Sequence, residues 1–215
     1  MRRVRIHDLS LTTVVEYRRP VLFSDAKIES TIRALLDSKC APYLNALDIS
    51  TEKHNEFFSY KLTVPMFNGS ASLVSNAQGI TLSFKQGRTK EHLELMMNLT
   101  SAALEVSKVQ EVKTTSISFN AHGVFDPTSS YPEHMVRYTS LRKDVTSGGI
   151  VLVMGVPELG GDFRYASEKS LVYQDGLFFV ANAVLQQDFS PKVFEILAAK
   201  FEAAAALEEI EFPKT

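Results

Sequence analysis

One short phrase occurs twice in this 215-residue chain, so any fold it adopts must accommodate both copies. Val64-Pro65-Met66-Phe67-Asn68-Gly69 recurs as Val156-Pro157-Glu158-Leu159-Gly160-Gly161, 92 residues later. Gln78-Gly79 before Ile80-Thr81-Leu82-Ser83-Phe84 recurs as Asp175-Gly176 before Leu177-Phe178-Phe179-Val180, and Ser101-Ala102-Ala103-Leu104-Glu105 as Ala204-Ala205-Ala206-Leu207-Glu208. Three matches in one order, at slowly growing offsets, predict a duplicated unit whose second copy carries extra residues near Ala166 to Ser170. The units fall at residues 1–110 and 111–215. Each is long enough to bury a core, and together they form one compact pseudo-twofold domain.

Hydrophobic periodicity gives each unit the same order of elements. Leu9, Leu11, Thr13, Val15 and Tyr17 alternate with more polar neighbours, which marks a half-buried strand. Val4 and Ile6 stand in the opposite phase, so a bulge is expected near His7-Asp8. Ser24 or Asp25 caps a helix with Ile28, Ile32, Leu35 and Leu36 on one face. Strands follow at roughly 55–65, 70–76 and 79–86. Asn68-Gly69 and Gln78-Gly79 are read as the positive-φ turns between them. Thr89 then caps a helix carrying Leu93, Met96, Met97, Thr100 and Leu104.

The second unit opens with a strand over 112–125, with Ile117, Phe119 and Ala121 on one face. Ser130-Tyr131-Pro132-Glu133 is a capping box with proline just inside the helix start. Its helix has a thin apolar face of Met135, Tyr138 and Leu141, and Gly148-Gly149 closes it. Strands are expected near 150–157, 162–168, 170–174 and 176–186. Ser190-Pro191 starts a long helix with Phe194, Leu197, Ala198, Phe201 and Ala205 inward. The fold class is α+β: a strand–helix–antiparallel meander–helix unit (βαβββα) twice, helices on one face of the sheet. This order is similar to the repeat of the TATA-box-binding-protein fold and, more loosely, to helix-grip folds. The resemblance spans both halves but rests on no motif, so it implies a layout and no activity.

Hydrophobic content of 45% with 22% charged residues excludes a largely disordered chain. No apolar run approaches the roughly 20 residues that span a bilayer. The basic opening Met1-Arg2-Arg3-Val4-Arg5 leads into no apolar h-region, so no secretory signal is expected. Cys40 is the single cysteine, which rules out an internal disulfide. A cytoplasmic protein without a membrane partner is the reading. Lys and Arg against Asp and Glu number 14 and 11 over residues 1–110, and 9 and 14 over 111–215, so the halves are basic and acidic respectively. An acidic second half disfavours a nucleic-acid saddle, despite Phe57, Phe58, Phe84, Phe178 and Phe179 on strands and the Arg2, Arg3, Arg5, Arg18 and Arg19 cluster.

No constellation for chemistry emerges. The histidines His7, His54, His92, His122 and His134 lack metal spacing, and no cysteine pair exists. There is no Gly-x-Ser-x-Gly elbow, and Ser-x-x-Lys occurs three times without its companion motifs. Cys40 reads as a small buried residue, and Gly148-Gly149 and Gly160-Gly161 lack phosphate-loop spacing. No catalytic, cofactor-binding or metal residue is nominated, and no cofactor is expected. Glu91, His92, Glu133 and His134 lie at equivalent helix starts and are the positions to watch, because a pseudo-twofold would bring these acid–imidazole pairs towards one interface.

The expected function is a non-catalytic binding or assembly protein that holds a protein partner, or another copy of itself, on a sheet face or edge. A carrier or enzyme for a small apolar ligand, held between meander and long helix and lined by Met96, Met97 and phenylalanines, is the alternative. A nucleic-acid-associated protein is the third reading.

Overall fold

Period-2 alternation produces the longest element. In β1 (Val4–Tyr17), Leu9, Leu11, Thr13, Val15 and Tyr17 are buried while Ser10, Thr12, Val14 and Glu16 point to the other face. The computed structural model describes residues 4–22, 24–38, 41–54, 59–87, 98, 111–136, 138, 148–186 and 191–211. Val4 is also buried, five positions before Leu9, so the strand must change phase between them. It does so where pairing with β6 (Val112–Phe125) shifts register between Ile6 and Asp8, at the expected bulge.

Along the chain follow α1 (Asp25–Leu36), β2 (Ser50–His54), β3 (Ser59–Met66), β4 (Ala71–Asn76) and β5 (Gly79–Gly87). After β6 come α2 (Tyr131–Met135), β7 (Gly149–Val156), β8 (Gly161–Lys169), β9 (Gly176–Leu185), α3 (Pro191–Leu207) and β10 (Ile210–Glu211). Among the described residues all strands join one ten-stranded sheet in the order β2-β3-β4-β5-β1-β6-β9-β8-β7, with β10 added in parallel beside the start of β1. Every other pairing is antiparallel. The protein is thus α+β, with a large antiparallel sheet.

From the central β1–β6 pair the order runs β5, β4, β3, β2 on one side and β9, β8, β7 on the other. The two Val-Pro phrases lie at the β3–β4 and β7–β8 connections, three strands out from the centre on each side. One sheet face carries the core: Leu62, Val64, Leu73, Leu82, Val15, Phe163, Phe179 and Leu185 are fully buried there. Burying each such side chain contributes about 1.5–3 kcal/mol. Ile28, Thr31 and Leu35 of α1 are buried, the two aliphatics within this core. Phe201 of α3 stacks on Phe119 of β6, ring centroids 5.3 Å apart, and meets Phe179 and Tyr165 at 6.0 and 6.3 Å. The other face is mostly small and polar at its centre, with Ser10, Thr12, Ser83, Ser116, Ser118, Asn120 and Asn182 half-buried.

Four local expectations are revised. The strand expected at 55–65 is β3 over its described part, and a strand not expected, β2, lies upstream, pairing Ser50–His54 with Thr63–Ser59 of β3. As an exposed edge held partly by a Glu52–Lys61 ion pair, it has no apolar alternation to read. Residues 170–174 form no strand. They belong to the β8–β9 loop, where the Ser170 hydroxyl accepts the amides of Val172 and Tyr173 that a ladder would otherwise use.

Asn68 and Gly69 take positive φ as expected (54° and 87°), but Gly79 does not. Glycine is needed there for closeness: a Cβ would lie 2.1 Å from the Val15 carbonyl oxygen. The capping-box helix forms, with the Ser130 amide donating to Glu133 Oε2 at 3.3 Å, but it ends at Met135. The helix expected from Thr89 to Leu104 lies outside the described residues apart from Asn98, which is helical.

Candidate functional site

A buried polar cluster forms where α2, β8 and the end of α3 meet. His134 projects from α2 into the core and is 2% exposed, as is Glu208, one residue beyond α3. His134 Nε2 stands 2.9 Å from Glu208 Oε2, and the Ser167 hydroxyl of β8 donates to the same oxygen at 2.8 Å. The His134 ring lies against Phe125 and Tyr138, with centroids 5.4 and 5.6 Å away. Two polar atoms are left over. The Tyr165 hydroxyl and Glu208 Oε1 are buried and make no hydrogen bond. Burial above all, and then the nearby Glu208 carboxylate, push the Tyr165 phenol well above its usual range. Tyr131, whose hydroxyl donates to the Gly148 carbonyl, is raised by burial too.

Serine, histidine and a carboxylate together suggest nucleophilic catalysis, but the connectivity is wrong for it. In a triad the imidazole stands between nucleophile and acid. Here the carboxylate stands between, and Ser167, His134 and Glu208 are all sealed from solvent. The cluster therefore ties the short α2 and the end of α3 to β8. Periodicity gives no sign of Glu208 as a core residue, because its neighbours Glu209 and Glu211 read as a solvated acidic tail.

A second polar group sits at one end of the open face. Ser170 Oγ accepts two backbone amides at 3.1 Å and stands 3.0 Å from His122 Nδ1. Its own hydrogen is thus directed to Nδ1, leaving the imidazole proton on Nε2. The Tyr173 hydroxyl donates to Asp8 Oδ2 at 2.7 Å, which carries the loop across β6 to β1. Donating that bond to the carboxylate keeps the phenol protonated and raises it above its ordinary value. The Tyr173 ring touches His7 and His122 at centroid distances of 5.7 and 5.9 Å. This group is filled by its own contacts, and its serine is buried with its hydroxyl committed.

The third feature is the β7 edge, Gly149-Ile150-Val151-Leu152-Val153-Met154-Gly155-Val156. It contains no charge and no proline, and its register with β8 runs unbroken from Gly149↔Glu168 to Val156↔Gly161. Val151 and Val153 are 56% and 65% exposed on the open face, while Ile150, Leu152 and Met154 turn to the core side. Among the described residues nothing pairs beyond it. The opposite edge is protected in the ways sheets ordinarily use. β2 is five residues with Glu52 and Lys53, and past its end Leu44 bridges Met66 and the Asn45 amide donates to the Pro65 carbonyl.

Of the residues watched from sequence, His134 enters the buried cluster but pairs with Glu208. Glu133 faces outward to cap its helix, since adjacent helical residues point apart. Glu91 and His92 lie outside the described residues, as do Cys40, Met96, Met97, Phe57, Phe58, Arg2 and Arg3. Phe84 and Phe179 are core residues, and Phe178 lies against His122 with centroids 4.8 Å apart. Arg18 stands 3.9 Å from Glu111, both exposed. Among the described residues no group of His, Cys, Asp and Glu could hold a metal ion, and no helix is long and apolar enough to cross a membrane.

Sheet and edge together define the class of protein as an α+β protein with a large antiparallel sheet. Compared with known proteins, the chain matches no protein-family model and no curated protein sequence. The crystal structure of a putative adenylate cyclase from Bacillus halodurans aligns over 94% of both chains at 11% identity, with a TM-score of 0.17. At that score the alignment supports neither a shared fold nor a shared activity.

Proposed function

We propose that this chain is a non-catalytic, cytoplasmic binding or assembly protein that holds a partner strand on the edge of its sheet. One observation carries the reading: the eight-residue, uncharged, unbroken edge of β7 with two exposed valines. Bare edges of that kind accept added strands through main-chain hydrogen bonds, while alternate side chains supply selectivity. The connectivity of the two polar clusters supports the same reading, because the Ser167 and Ser170 hydroxyls, His134 Nε2 and His122 Nδ1 are committed to structural bonds.

The architecture that goes with this function is a duplicated strand–helix–meander–helix unit in the layout of the TATA-box-binding-protein repeat. It is supported by the mirrored strand order about β1–β6 and by the position of the two Val-Pro phrases. In such a duplication β7 corresponds to β3, so the partner strand takes the place that β2 fills in the first half.

The test is hydrogen exchange on the purified chain with and without a lysine-flanked peptide of the Gly149–Val156 sequence. Slowed exchange confined to β7 is the expected result. Outward β7 amides that exchange freely both without the peptide and at saturating peptide would sink the edge reading.

A further inference from the structure

Resting on the edge reading, we infer that the strand added to β7 is the β7 of a second copy. The two copies pair antiparallel about a twofold axis through Leu152.

The argument begins with register. In one continuous sheet, opposed residues must share a face, so the axis must pass through a residue position. Centred on Leu152, the pairing sets Val151 against Val153 of the other copy, and Val153 against its Val151. Ile150 then faces Met154, and Gly149 faces Gly155. Every opposed pair is apolar or glycine, because the strand carries no charged residue. The four exposed valines become two β-branched cross-strand pairs, a favourable arrangement on a sheet surface. The strand is thus self-complementary about its own centre.

Charge does not oppose the pairing. Glu158 sits in the turn just past the strand's end, and the charged side chains of the neighbouring β8 are Asp162, Arg164, Glu168 and Lys169, two of each sign. Each of the β8 charges lies three strand spacings, about 14 Å, from the other copy's β8, which exceeds the Debye length of roughly 8–10 Å at physiological salt. The assembly also closes. An isologous contact uses each β7 once and leaves the short, charged β2 at both outer edges, where further strand addition is blocked.

The test reads mass and register separately. Light scattering across a concentration series should give twice the chain mass, and Val151→Lys with Val153→Lys should return the monomer. Those lysines meet each other in this register, weakening association by about 100-fold, while circular dichroism stays unchanged because both positions are exposed. In a Cys40→Ser background, Leu152→Cys should oxidise to a covalent dimer. Val151→Cys or Val153→Cys alone should not, because each then sits diagonally from its copy at about 7–8 Å. The combined Val151→Cys/Val153→Cys variant should cross-link through the surface, independently of any core disturbance at Leu152.

A chain that stays monomeric at high concentration overturns the inference, as does a dimer indifferent to the paired lysines. If a monomer nonetheless shows β7 protected by the lysine-flanked peptide, the edge reading stands and self-pairing alone falls.

Discussion

Glu208 and His134 are 74 residues apart in sequence, yet Glu208 Oε2 and His134 Nε2 meet at 2.9 Å inside the core. Removing one partner strands the other. His134→Ala leaves a carboxylate with 2% exposure and only the Ser167 hydroxyl for compensation, and it should cost about 3–5 kcal/mol. Replacing both, as His134→Leu with Glu208→Leu, should recover most of that loss, because an apolar pair of similar volume carries no desolvation penalty. Urea denaturation of the two variants checks both expectations. Equal destabilisation would show that packing rather than charge is at stake.

Alkaline stability should fall because of the buried phenols. Tyr165 and Tyr131 are raised in the folded state above the ordinary value of 10, chiefly by burial. The unfolded chain releases these protons near pH 10 while the folded chain keeps them. Their contribution is therefore complete below about pH 10 and shrinks above it, by about 1.4 kcal/mol per pH unit for the strongly raised Tyr165, with Tyr131 adding in the same direction. Tyr165→Phe removes one share of that slope. It also removes a buried hydroxyl whose approach to the Glu208 carboxylate falls short of a well-formed hydrogen bond, so stability at neutral pH should change little. Urea midpoints at pH 8 and pH 11 measure both effects.

Gly79→Ala should be among the most damaging single-atom additions in the chain. The new Cβ would sit 2.1 Å from the Val15 carbonyl oxygen, so β5 and β1 must separate, at a cost of about 3 kcal/mol. Gly155→Ala is the matched control: nothing lies within 4 Å of its Cβ position, and the change should stay within about 0.5 kcal/mol. Thermal melts of the pair separate close approach from a general glycine effect.

These contacts mark how far the sequence could be read. The alternation from Leu9 to Tyr17, the bulge near His7-Asp8 and the capping box at Ser130 are local, and each was legible in the residues that make it. β2 was not, because an edge strand with no buried side shows no period. The 170–174 segment misled because Leu171-Val172-Tyr173 has strand propensity, while the Ser170 hydroxyl takes its amides. Glu208 was invisible for a different reason: a buried charge is defined by partners far along the chain. The composition of β7 is plain in the sequence, but its place at the end of the sheet is a property of topology.

Ser170 gives the last prediction. Its Oγ holds the amides of Val172 and Tyr173 and stands 3.0 Å from His122 Nδ1, all within the six-residue loop joining β8 to β9 or directly beneath it. Ser170→Ala leaves two amides and one imidazole nitrogen to find other partners, a loss of about 1–3 kcal/mol if they stay buried. The loop can relieve part of that by opening, since among the described residues its remaining side-chain ties all run through Tyr173, in its bond to Asp8 and its ring contacts with His7 and His122. Hydrogen exchange should therefore quicken at Val172 and Tyr173 well before any change in the amides of β6 and β9. Uniform acceleration across those strands would mean that the loop and the sheet open as a single unit.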